Sequence, residues 1–477
     1  MKKIKYTIAC TLVLSVIFQH SMIGQSQLKA VHEWGTFTTV QNSAGLRLSG
    51  LGGEKLPAFV YDLGLNSKNN IELKNVEVQM ETPVLYFYAD KQMNATIDVK
   101  FKNGIINQWY PDRSSGQSIV PFSVVDLAVP SEGFNKWEIT ILDPTATPKL
   151  IDDWTIVNHE YVAPRWTSSN HIKGQTEEYE KFIFYRGLAN FETPLRVEFN
   201  QKNNLVIHNQ FNSPLSYVLV YDNSPDRQPT IWWSGSMKAD EKKVIANPIK
   251  DSEFNDVFNE IYHFRDEMVK SGLNQDEADA MLNTWFEGYF VDITDVEGLR
   301  VFWITPKSYI DEILPLIIAP TPLSTKRVFV GRSEVLKKEF EKELAGLTED
   351  EIENKYKDHR YRNVFKDSKK KGLPTQWTDY NENVVSSVNN KNKSPLTLKL
   401  MPNPIADAFI IQYRSDEIAE LQVSIVDLSG HVLRQWKENP NELIFKKSYS
   451  LKDLQSGAYI LQTSQKGRVN SLKFIKN

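Results

Sequence analysis

The chain has 477 residues, a net charge of −4 and a single cysteine, Cys10. That length suits two or three domains, each able to bury a core without covalent staples. The charge balance offers no basic face for nucleic acid. A lone cysteine in the leader excludes disulfides, Cys-based metal sites and thiol nucleophiles from the mature protein.

Lys2, Lys3 and Lys5 precede an apolar run from Ile8 to Phe18, the order of charge and hydrophobicity found in export signals. Residues 1–26 therefore read as a signal peptide cut after Gly24 or Ser26, with the Sec translocon and signal peptidase as expected partners. The apolar run falls short of the roughly 20 residues that span a bilayer. No later segment approaches that length, so no transmembrane segment is expected in the mature protein.

Residues 27–365 read as a β-rich body. Val84–Tyr88, Thr96–Phe101, Phe182–Tyr185 and Leu195–Phe199 are short runs rich in aromatic and β-branched residues, separated by Gly, Pro, Asn and Asp. Many such strands predict a sandwich-like fold. Near 251–290 the period changes: Phe254, Val257, Phe258, Ile261, Phe264 and Met268 recur at helical spacing, and Ser271-Gly272 stops the first helix. Asn274 can cap a second, which makes an inserted αα-hairpin. A charged helix is expected near 333–357, with Thr348 and Glu351 forming a capping box.

Residues 366–395, rich in Lys, Asn, Ser and Glu, read as a linker. Residues 396–477 hold six or seven short strands with turns at Pro402-Asn403-Pro404, Ser429-Gly430, Ser456-Gly457 and Lys466-Gly467. That spacing predicts a small Ig-like β-sandwich. The fold class is thus mainly β: a sandwich-like body with a helical hairpin, followed by a small β-module.

The C-terminal module resembles the type A sorting domain of type IX secretion cargo. The resemblance rests on Pro402-Asn403-Pro404, Val426-Asp427-Leu428-Ser429-Gly430, Gly457-Ala458-Tyr459-Ile460-Leu461 and Lys473-Phe474-Ile475-Lys476. Met401 stands where an aromatic often precedes the proline, and Asn477 extends the end by one residue. The resemblance implies that Pro402, Asn403, Pro404, Gly430, Gly457, Tyr459, Lys473 and Lys476 belong to the sorting motif. It also implies the type IX machinery as a partner, followed by release or attachment to surface lipopolysaccharide. The body resembles an uncharacterised family of exported proteins. Its marks are His32–Thr38, Met80–Tyr88, Trp109-Tyr110-Pro111, Phe184-Tyr185-Arg186-Gly187 and Arg327–Arg332, and they imply no reaction.

No HExxH, GxSxG, Walker loop, dinucleotide fingerprint or EF-hand loop occurs. The candidates for chemistry are polar residues inside apolar strings. His32, Glu81, Glu160 and Arg186 form the candidate catalytic set: a carboxylate as general base, and Arg186 holding an anion. His32 and His159 are candidate metal ligands, although the sequence names no cofactor. Adjacent residues such as His32 and Glu33 face opposite sides of a strand and cannot both serve one site by simple alternation. Trp109, Trp232 and Trp233, in turn-rich sequence, are candidates for stacking on a glycan or peptide. Two functions follow. One is an exported binding protein for extracellular glycan or protein. The other is an extracellular polysaccharide hydrolase, with or without a metal, using Glu81 and Glu160 as its carboxylate pair.

Overall fold

A computed structural model describes residues 27–477, except 53–55, 66–70, 152–162, 225–228, 249–251, 253, 292–297, 383, 386–397, 402–404, 406–407, 415–417, 428–430, 442–443, 467 and 477. The body is built on a nine-stranded sheet. Its strands are β1 (Leu28–Gln41), β2 (Tyr61–Asp62), β3 (Val78–Ala89), β4 (Gly104–Tyr110), β5 (Ile183–Ala189), β6 (Leu215–Asp222), β7 (Thr230–Met237), β8 (Gly298–Thr305) and β9 (Ser324–Leu336). Their spatial order is β7-β6-β8-β9-β1-β3-β5-β4-β2. Only β1 and β9 pair in parallel; the other neighbours are antiparallel.

Both faces of this sheet are covered. On one side lies a sheet containing Met93–Lys102 and Glu132–Ile141, whose Ile97, Val99, Phe101, Trp137 and Ile139 meet Val31, Phe37, Leu85, Phe87 and Phe329. Beside it, a four-stranded sheet begun by Leu195–Phe199 and Leu205–Asn209 packs on Val218, Val220, Val301 and Trp303. The opposite face carries the helical hairpin, α1 (Phe254–Lys270) and α2 (Gln275–Phe286). Ile261, Phe264, Met281 and Trp285 of the hairpin bury Trp34, Val84, Tyr86, Phe184 and Phe302. Each large apolar side chain removed from water contributes about 1.5–3 kcal/mol, so these two cores dominate the stability of the body.

Gly331 shows how closely the layers approach. A Cβ there would lie 1.9 Å from the Trp303 indole, so the strand can pass the ring only as glycine.

The mainly-β class with a helical hairpin is as the sequence implies, but two local expectations need correction. Residues 333–336 continue β9 instead of starting a helix, because Val335 and Leu336 are buried and Glu334 is paired inside the sheet. A short helix, α3 (Lys307–Ile313), precedes β9, and the charged segment after it forms α4 (Lys338–Gly346) and α5 (Glu349–Lys355), the last opened by a Thr348–Glu351 capping box. The segment expected as a linker begins inside α6 (Arg362–Lys371), whose Val364 and Phe365 pack with Phe340 and Leu344. Farther along, Val384–Val385 pairs with Lys242–Ile245. In the C-terminal module, two sheets enclose Leu400, Phe409, Ile411, Val423, Ile425, Leu461 and Phe474.

Candidate functional site

The five segments that mark the body occupy five neighbouring strands, in the order β9-β1-β3-β5-β4. On the helix-covered face they bring polar side chains into a single row. Across the strands Glu334 lies opposite Arg300, Arg332 opposite Thr38, Thr38 opposite Gln79, Thr36 opposite Glu81 and Arg186 opposite Gln108. This polar band separates the hairpin core from a second apolar cluster that includes Val40, Ile105, Leu188 and Leu336.

Pairing inside the band is dense. Arg332 Nε donates to Glu334 Oε1 at 2.7 Å, and Arg300 Nε to the same oxygen at 3.2 Å. Arg300 Nη1 donates to the Tyr289 carbonyl at 3.0 Å. Tyr289 lies in a π-helical turn, Glu287–Val291, that follows α2, and its hydroxyl contacts Thr36 Oγ1. Such turns recur at functional positions. Glu81 accepts from Arg360. Arg186 Nε and Nη2 donate to Thr82 Oγ1 at 3.2 and 3.0 Å, with the guanidinium 5.8 Å from the Trp285 ring.

Thr82 holds φ at 46°, a conformation that a β-branched residue adopts only when its surroundings impose it. Here a register shift between β1 and β3, and another between β5 and β3, flank the residue. The strained backbone thus places the hydroxyl that anchors Arg186.

Burial raises the Glu334 carboxyl, but Arg332 and Arg300 more than offset it, so the group titrates below the usual carboxylate range. Burial drives the Tyr289 phenol far above its ordinary value. Both groups keep their neutral-pH charge states: a carboxylate held by guanidinium groups and a protonated tyrosine.

The other side of β1 carries a separate buried pair. Glu33 accepts from Arg327 Nε at 2.6 Å and from the Tyr185 hydroxyl, and Arg327 Nη1 reaches Asp311 at 3.0 Å. His32 points toward the hairpin. Its Nδ1 lies 3.0 Å from both oxygens of Glu277, which also accepts from Tyr88 at 2.6 Å and from the Asn274 backbone at 2.7 Å.

Glu81 and Arg186 share the band through the neighbouring Thr82. His32 stands four residues along β1 from Thr36, the residue facing Glu81, a separation of roughly 13 Å at strand rise. His159 and Glu160 lie outside the described residues. Among the described residues, no group of three His, Cys, Asp or Glu is placed to hold a metal.

The three indoles expected as a stacking platform are cores instead. Trp109 lies under the Arg113 guanidinium at 3.7 Å and stacks with Tyr61, Trp232 donates to Asp222 at 3.2 Å, and Trp233 is 8% exposed. A ring so covered offers no face to a sugar. Of the sorting-motif residues, Gly457 and Tyr459 lie on the strand Gly457–Gln465, and Lys473 and Lys476 on Arg468–Lys476. Lys476 bridges to Ile405. Pro402, Asn403, Pro404 and Gly430 are outside the described residues.

Thr36, Thr82, Tyr289, Arg300, Glu334 and Arg360 complete the band and were not among the sequence candidates. Arg300, Arg332 and Glu334 carried a signal, as charges inside apolar strand runs. Arg360 and Tyr289 come from helical or irregular segments whose sequence gives no hint of their destination.

Residues 399–477 match the family model described as a secretion system C-terminal sorting domain. The tail makes this chain a cargo of type IX secretion, exported to the cell surface or secreted. No curated protein matches the chain. Among solved structures, a biofilm-associated protein BSP domain is 10% identical over 95% of this chain and 84% of its own, with a TM-score of 0.14. Salmonella α2-macroglobulin reacted with methylamine is 8% identical over 85% of this chain and 30% of its own, with a TM-score of 0.13. A Kluyveromyces marxianus β-glucosidase is 8% identical over 92% and 50%, with a TM-score of 0.11. Scores this low define no common fold. No described helix is long and apolar enough to cross a membrane.

Proposed function

We propose that residues 1–26 direct the chain through the Sec translocon and are removed by signal peptidase, and that the tail then delivers it to the outer cell surface. There it is released or attached to lipopolysaccharide, and the body acts as a binding protein for an extracellular protein partner. The observation that supports binding is an apolar loop: Val120, Phe122, Val124 and Val129 are 73%, 76%, 56% and 59% exposed. Ser123 Oγ bonds the Val120 carbonyl, and the Val129 amide bonds the Asp126 carbonyl. Two turns thus flank the short strand Val124–Asp126, which pairs with Glu72–Lys74, and these four apolar side chains lie outward. Clustered exposure of this kind marks recognition surfaces more often than single exposed residues do.

A glycan ligand is the second reading, supported by an open cleft of about 440 Å³ lined by Asn94, Thr96, Glu138, Thr140, Lys173 and Gln175. The hydrolase reading has less support, since Glu81 is fully buried against Arg360 and a glycosidase pair must face an open groove.

The test uses fluorescently labelled mature protein on whole cells. The double variant V120D/F122D is expected to lose most surface binding without a change in melting temperature, and protease treatment of the cells should abolish wild-type binding. Binding that survives both would overturn the protein-partner reading, and survival of protease treatment alone would favour glycan.

A further inference from the structure

The sheet that carries Met93–Lys102 and Glu132–Ile141 buries Ala95, Ile97, Ile139 and Ile141 in the body core, so the alternate residues of these strands face outward. Cross-strand register sets the outward residues in two rows: Lys173, Thr140 and Asn94 in one, Glu138, Thr96 and Ala319 in the other. A turn joins Ile172–Lys173 to Tyr179–Glu180, closed by the Gly174 amide on the Glu178 carbonyl at 2.8 Å. It carries Gln175 into the same cleft, where Nε2 donates to Glu138 Oε2 at 3.2 Å. Together the rows cross four neighbouring strands, about 14 Å at the usual strand spacing. That span suits a short chain of linked rings better than a single one.

The charges of the cleft are matched locally. Lys173 Nζ pairs with Glu177, and Glu138 pairs with Lys136 at 3.7 Å beside its bond to Gln175. An acidic ligand would meet two carboxylates, Glu138 and Glu177, while both lysines are already engaged, and like charges set face to face are costly. The uncharged groups offer more. Thr140 Oγ1 donates to Asn94 Oδ1 at 3.0 Å, and Thr96 Oγ1 to the Ala319 carbonyl at 3.5 Å. Asn94 Nδ2 then serves as a donor, and the two threonine oxygens and Gln175 Oε1 serve as acceptors. Donors and acceptors set side by side suit sugar hydroxyls, each of which gives and takes a hydrogen bond. Building on the glycan reading of this cleft, we infer that it binds an uncharged oligosaccharide laid across the strands and held by Asn94 and Gln175. The cleft shares no lining residue with the exposed apolar segment around Phe122, so the protein-partner reading stands or falls separately.

The test is calorimetric titration of the full mature chain with neutral hexasaccharides (cellohexaose, maltohexaose and laminarihexaose) and with the acidic hexagalacturonate. The wild type is expected to bind at least one neutral sugar and to bind the acidic one more weakly. The double variant N94A/Q175A should weaken neutral-sugar binding about tenfold. Both side chains are exposed, so its melting temperature should stay unchanged. Tighter binding of hexagalacturonate, lost in N94A/Q175A, overturns the uncharged class while the glycan reading survives. Binding of neither class, or binding indifferent to N94A/Q175A, overturns both. Should the double variant fail to fold, hydrogen exchange of the wild type with the neutral sugars decides. Protection at residues 94–96, 138–140 and 173–177 supports the site, and protection confined to other segments, or none, sinks it.

Discussion

The strands at the centre of the body and those of the tail handle burial in opposite ways. In the tail, residues 459–465 alternate between buried and half-exposed, so one face meets the core and the other meets solvent. In the body, every residue of β1 from Glu33 to Gln41 is buried, and β9 is buried from Arg327 to Leu336. A strand covered on both faces has no solvent side for its polar residues. Each charge must then find a partner inside the protein, as Glu33 does with Arg327 and Glu334 with Arg332 and Arg300. Buried pairs of this kind add little net stability over apolar residues, yet breaking one is expensive. The body is consequently brittle at its centre where the tail is tolerant.

The largest test of that contrast is Gly331→Ala, whose new methyl would sit 1.9 Å from the Trp303 ring. Overpacking commonly costs about 1–3 kcal/mol, and a clash this deep should exceed it; circular dichroism is expected to show loss of the folded body. Next is Glu33→Gln, which leaves Arg327 buried without its full countercharge. A loss of about 3–5 kcal/mol, read from the urea midpoint, is expected, and a loss under 1 kcal/mol would break the comparison.

A pH series sharpens it further. The folded Glu334 carboxyl titrates below its ordinary value of 4.5. Its contribution is therefore fully present above about that pH and is lost as pH falls through the lower, folded value. Wild-type urea midpoints should drop between pH 5 and 3, whereas Glu334→Gln should start lower at pH 7 and show a shallower acid limb. The smallest effect belongs to the tail: Gln462→Ala, on the half-exposed side between Leu461 and Thr463, should shift stability by no more than about 0.5 kcal/mol.

The same contrast decides what could be read from the sequence. Alternation and turn residues exposed the tail strands, and helical spacing exposed α1 and α2. The doubly covered strands gave their presence but not their faces, so which polar residues converge was hidden. Glu81 and Arg186 were singled out as polar residues inside apolar strings, and both lie within strands, but their meeting depends on the Thr82 distortion that nothing local announces. Arg360 joins Glu81 from 279 residues away, a pairing that only the tertiary fold creates. Trp232 and Trp233 were misplaced for the converse reason: turn-rich sequence suggested a surface, but Trp232 meets Phe199 edge-on inside a buried cluster that also holds Trp233.

The account stands on the tail as the export address. The direct measurement is removal of residues 396–477, with the product followed by immunoblot in periplasmic, cell-surface and medium fractions. The truncated body is expected to lose its signal peptide and accumulate in the periplasm; recovery outside the cell at the yield of the full chain would contradict the assignment.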